Sequence, residues 1–163
     1  MKKIILVAAI LAACFAARAQ TPRFMELYAD AIERLAARAE DKPAPDIETS
    51  EFSGRMLQEI MSAKSKDRNH LVNRIDNIRQ IKFLPSDESD LFDRIRAVAE
   101  AGPYERLANL VVDGQSVRIY SAPYKIRRKE FLIFIVKDDK RLVCDIVGDV
   151  TLKDVLDLIC KSV

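Results

Sequence analysis

From Tyr104 to the end of the chain, apolar residues fall in four short runs parted by turn chemistry, followed by one stripe at helical spacing. Leu107, Ala108, Leu110, Val111 and Val112 lead directly into Asp113-Gly114. An Asp-Gly pair between strand-like runs predicts a two-residue type I′ hairpin, because both turn positions need positive φ. In the returning strand, Gln115 to Ala122, Val117 and Ile119 alternate with Arg118 and Tyr120, which predicts one buried and one wet face. Pro123 has no N–H for a ladder and is expected to end that strand. Phe131 to Val136 is apolar at every position, the mark of an interior strand covered on both faces. The Lys137-Asp138-Asp139-Lys140 turn follows, then a strand from Leu142 to Val147 with Leu142, Cys144 and Ile146 on one face. Gly148-Asp149 breaks it. Thr151 with Asp154 three residues on forms a capping-box variant, and Leu152, Val155, Leu156 and Ile159 make the apolar stripe of a last helix.

The first half of the chain mixes both periodicities. Phe24, Leu27, Tyr28, Ala31, Ile32 and Leu35 predict an amphipathic helix over 22–39, and Asp41 to Asp46, with two prolines, reads as an extended linker. Ile47 to Phe52 reads as a short strand, and Met56, Leu57, Ile60 and Met61 as a helical face. A second short helix is expected over 67–77 and a strand over 78–84. Ser86 or Asp87 is the expected cap of a helix carrying Leu91, Phe92, Ile95 and Val98 to its stop at Gly102-Pro103. Strands interleaved with helices, then a run of strands, predict an α+β domain: two layers, a mainly antiparallel sheet ending in a four-stranded meander, and helices mostly on one face.

Residues 1–19 change the reading of charge and destination. Met1-Lys2-Lys3, the apolar run Ile4 to Ala13 and Ala17-Arg18-Ala19 have the order of a secretory signal peptide cleaved between Ala19 and Gln20. Leu11-Ala12-Ala13-Cys14 also fits a lipobox, in which Cys14 is lipidated and becomes the first residue. Either route predicts export, to the periplasm or beyond or to a lipid anchor at the envelope. The expected organisation is therefore a signal peptide (1–19), an N-terminal amphipathic helix (20–40), a linker (41–46) and one domain (47–163), with no transmembrane span in the mature chain. Loss of residues 1–19 leaves 24 basic against 25 acidic side chains, a net charge of −1 in place of +2. Overall basicity then gives no argument for nucleic acid.

The stretch from Ile47 to Val155 resembles a family of small exported bacterial proteins catalogued as domain of unknown function 4252. The resemblance rests on Ser53 to Met61, Tyr104-Glu105 through Asp113-Gly114, Lys125-Ile126 with Glu130-Phe131-Leu132, and above all Gly148-Asp149-Val150-Thr151-Leu152-Lys153-Asp154-Val155. It implies export and carries no activity with it.

Catalytic constellations are hard to assemble from these residues. The single histidine, His70, lies in a polar stretch without a nucleophile elbow, zinc-ligand spacing is missing, and no glycine-rich phosphate loop occurs. No metal or cofactor is expected. The acids Asp87, Glu88, Asp90 and Asp93 read as helix-start residues that offset the dipole. Cys144 and Cys160 are expected at similar height on the last strand and helix, as a disulfide or as two buried thiols. Tyr120, Tyr124, Arg127 and Arg128 gather aromatic and basic groups in one connection and form the candidate binding surface, for an envelope protein or a glycan. A non-catalytic binding domain is the expected function; a lipid-anchored envelope protein and a small carboxylate-based enzyme are the alternatives.

Overall fold

The computed structural model describes residues 23–38, 46–62, 69–85 and 90–161. The expected signal segment with Cys14, Ala19 and Gln20, the linker residues 41–45 and the cap candidates Ser86 and Asp87 lie outside them, as do the side chains of His70 and Cys160. The described elements are α1 (Arg23–Arg38), β1 (Ile47–Ser53), α2 (Gly54–Ser62), α3 (Asn69–Val72), β2 (Ile75–Phe83), α4 (Leu91–Ala101), β3 (Glu105–Val112), β4 (Gln115–Lys125), β5 (Arg128–Lys137), β6 (Lys140–Gly148) and α5 (Leu152–Lys161). The six strands form one sheet in the order β1-β2-β6-β5-β4-β3, antiparallel throughout. The α+β class and the C-terminal meander are as expected.

Strand β5 explains the layering. Along it, Leu132, Phe134 and Val136 join one apolar cluster, while Phe131, Ile133 and Ile135 join another. Side chains alternate across a pleated strand, so a run apolar at every position needs a cover on each face. The first cover is made by α1 and α4, through Phe24, Leu27, Tyr28 and Ala31 and through Leu91, Phe92, Ile95 and Ala99. The second is made by α5 with α2 and α3, through Val155, Ile159, Leu57 and Leu71. The helices thus divide between the two faces, which corrects the two-layer expectation. The amphipathic helix over 23–38 is part of the core: Phe24 and Ala31 are fully buried, and Tyr28 donates its hydroxyl to the Ser50 carbonyl at 3.1 Å.

Other differences follow from tertiary pairing. Of the helix expected over 67–77 the described residues hold one turn, Asn69–Val72, because Ile75 and Asn77 pair with β6 and start β2 early. Gly148 permits this closure, since a Cβ there would collide with the Arg74 carbonyl. Pro123 does not end β4: the strand runs on to Lys125, and a register shift between Pro123 and Lys125 absorbs the missing donor. Tyr120 is not on a wet face but buried beneath α4, edge-on to Phe134 at 5.6 Å, with its hydroxyl on Glu100 at 3.3 Å. Helix α4 begins at Leu91, with Asp90 before it making no side-chain cap bond.

The Asp113-Gly114 turn and the Thr151–Asp154 cap are as predicted, whereas the helix expected to be capped by Ser86 or Asp87 starts at Leu91. Asp113 and Gly114 have φ of 49° and 76°, the positive pair that a type I′ hairpin requires. Thr151 and Asp154 cap reciprocally, Thr151 N to Asp154 Oδ2 at 2.8 Å and Asp154 N to Thr151 Oγ1 at 3.2 Å. Arg74 ties the same carboxylate to the turn before β2 at 2.8 Å.

Phe134 stacks edge-on with both Phe92 and Tyr120 and is 2% exposed. Phe134→Ala is expected to lower the unfolding free energy by about 3–5 kcal/mol in urea titration. Adding Phe92→Ala should then cost less than Phe92→Ala alone, because the two rings share one contact.

Candidate functional site

One polar cluster interrupts the apolar face beneath α1 and α4. Register sets its first row: Glu51 pairs with Arg79, and Arg79 with Asp145. The Arg79 guanidinium bridges them, Nε to Glu51 Oε1 and Nη1 to Asp145 Oδ2, each at 3.0 Å. Glu130 on β5 stands opposite Val147, two residues along β6 from Asp145, which makes the two acids diagonal cross-strand neighbours. Asp145 is 1% exposed and Glu130 3%. The Tyr104 hydroxyl, after α4, donates to Glu130. Asn77 donates its amide to Glu51 at 2.8 Å.

Three carboxyl groups therefore surround one guanidinium. Among the described residues, the buried side-chain polar atoms without a hydrogen-bond partner are Asn77 Oδ1, Glu130 Oε2 and Asp145 Oδ1, all acceptors and all in this cluster. A proton converts such a carboxyl oxygen into a donor and removes the repulsion between the acids. Burial and then the Glu130 charge push Asp145 up to about 8, against the pull of Arg79. Burial likewise raises Glu130, with the Tyr104 hydrogen bond and Arg79 opposing it. The value near 8 for Asp145 lies in the range of a general acid or base, yet both carboxyls are shut away from any substrate atom in this conformation.

Beside the cluster an open cavity of about 410 Å³ is lined by Asp76, Asn77, Arg79, Tyr124, Lys125, Arg128 and Val147. Asn77 and Arg79 belong to both, so an occupant of the cavity would touch the groups that hold the buried acids. Tyr124 and Arg128 meet here as the sequence anticipated, Arg128 pairing with Asp76 at 2.9 Å.

Against this geometry the comparisons with known proteins add one result. Residues 43–158 match the family described as Domain of unknown function (DUF4252). The chain belongs to that family. No curated protein and no solved structure matches it. The DUF4252 match begins after α1, although α1 completes the core of this member.

The remaining candidates separate. Tyr120 drops out of the binding surface because it is core, while Arg127 is exposed at the β4–β5 turn with φ of 60°. Cys144 is a buried free thiol, pushed up to about 12 by burial and contacted by the Gln80 amide at 3.9 Å. It lines a groove of about 330 Å³ with Leu158 and Ile159 of α5, which runs back over β6 as expected, while the Cys160 side chain lies outside the described residues. Asp93 pairs with Arg96 at 2.9 Å, a local bond within α4. No helix among the described residues is long and apolar enough to cross a membrane. Sequence reasoning missed Glu130 and Asp145. The available signal was Asp145 between Val143 and Val147 on a strand that runs inside the sheet.

A carboxyl raised in the folded state takes up a proton on folding. Its stabilising contribution is full below the unfolded value near 4 and is lost as pH rises through about 8. Urea unfolding of the wild type should therefore show stability falling across that interval, by at most about 1.4 kcal/mol per pH unit. Asp145→Asn should flatten the slope.

Proposed function

We propose that this DUF4252 member is a non-catalytic binding domain of the cell envelope, and that it engages its partner through the end of the sheet where β4 turns into β5. The observation that carries the reading is the composition of that turn. Ile126 is 92% exposed and Tyr124 40%, and Lys125, Arg127 and Lys129 form no ion pair among the described residues. Exposed aromatic and aliphatic groups set among uncommitted cations are what recognition surfaces use and what a solitary soluble domain gains nothing from. Placement in the envelope rests on the export signal in residues 1–19. Lipidation at Cys14 is the alternative route, and the mass of the mature N-terminus separates a chain starting at Gln20 from one starting at an acylated Cys14.

A carboxylate-based enzyme is the second reading, favoured by the raised, paired Glu130 and Asp145 next to an open cavity. It requires a movement that uncovers them.

Cross-linked pull-down from the native envelope tests the binding reading. The wild type is expected to capture a reproducible partner, and Arg127→Glu with Arg128→Glu to lose it while unfolding at nearly the same denaturant concentration. Equal capture by both proteins would overturn the assignment of the surface.

A further inference from the structure

The two ends of the sheet differ in their density of cations. At one end lie the β3–β4 and β5–β6 turns, where Asp113 and the pair Asp138-Asp139 sit beside Lys137 and Lys140. At the other end β4 and β5 join through Lys125, Ile126, Arg127 and Arg128, followed by Lys129, four cations within five residues. Helix α2 also starts at this end, since Ser53 pairs with Asn77 beside the start of β2. In its first turn Arg55, paired with Glu59 at 3.2 Å, has an 88% exposed side chain, and Met56 is 46% exposed. Lys153, in the first turn of α5, is exposed there as well. Of the acids nearby, Asp76 is bound by Arg128, Asp154 by Arg74 and Glu59 by Arg55, and Glu105 and Asp149 are exposed as well.

The apolar side chains at this end belong to types that enter a bilayer interface. Ile126 projects from the turn, and Tyr124 presents an amphipathic ring over which Lys125 sits at 5.2 Å. Held in a tight turn, the Ile126 tip loses little conformational freedom on insertion. The surrounding cations fit phosphate groups, and each basic side chain near an anionic leaflet adds to attraction that decays within a Debye length. A protein partner would be met by the same residues, but one aliphatic side chain, 92% exposed at the tip of a turn and set among four cations, matches a shallow interface of head groups over acyl chains.

We propose that this end of the domain docks on the surface of an anionic phospholipid bilayer, with Ile126 and Tyr124 entering the interface and Lys125, Arg127, Arg128 and Lys129 on the head groups. The inference rests on the binding reading above and names its partner.

Vesicle co-sedimentation tests it. The chain beginning at Gln20 carries no acyl group, so any sedimentation belongs to the domain itself. It is expected to sediment with phosphatidylglycerol-containing vesicles, not with pure phosphatidylcholine, and less as salt is raised. Arg127→Glu with Lys129→Glu should weaken binding at least about tenfold, and Ile126→Ser several-fold without altering salt dependence. Both sites are solvent-exposed, so folding is preserved and checked by the urea midpoint. Failure to sediment with anionic vesicles at low salt, or binding unchanged in the charge-reversed variant, overturns membrane docking. If an envelope protein is still captured in the pull-down and lost on Arg127→Glu with Arg128→Glu, the binding reading survives and the bilayer is the wrong partner; if nothing is captured either, both fall.

Discussion

The structure depends on the two-sided burial of β5. Six successive apolar residues, Phe131 to Val136, send alternate side chains to opposite faces, and neither face can be left in water at about 25 cal/mol per Å² of apolar surface. Everything else is arranged to supply two covers. The return through β1 and β2 widens the sheet beside β6, α5 folds back over one face, and α1 with α4 closes the other. On the face covered by α1 and α4, buried carboxyls are held where Arg79 can lie between them, and that is where the acids collect.

Local signals in the sequence were reliable where the physics is local. The Asp113-Gly114 turn, the Thr151–Asp154 capping box and the amphipathic stripe of 23–38 each need only a few residues, and each is found. The errors lie where a distant strand decides. Ile75 and Asn77 look helical until β6 pairs with them, and Pro123 looks terminal until a bulge is allowed for. Arg118 and Tyr120 look like an exposed face until α4 is laid over them. The apolar run of β5 did announce cover on both faces, but the order of covering helices could not be read from it.

The candidate site shows the same division. Tyr124, Arg127 and Arg128 were legible because a cluster of exposed charge and aromatic residues in a turn is a contiguous signal. Glu130 and Asp145 were not, because their significance comes from a diagonal contact across β5 and β6 and from a guanidinium contributed by β2. The two features adjoin: Arg79 and Asn77 line the cavity by the hairpin and also hold the buried cluster. Contact at the hairpin end thus bears on groups that set the protonation of Asp145.

If two-sided burial is the governing constraint, α1 is structural, even though the family match begins after it. Phe24, Leu27 and Tyr28 together bury apolar surface worth about 5–9 kcal/mol, of the same order as the whole stability of a domain this size. The direct measurement is urea unfolding of the chain beginning at Gln20 against one beginning at Pro43. The account predicts that the shorter chain loses most of its unfolding free energy and binds a hydrophobic dye on its uncovered face; equal stability of the two, with no dye bound, would contradict it.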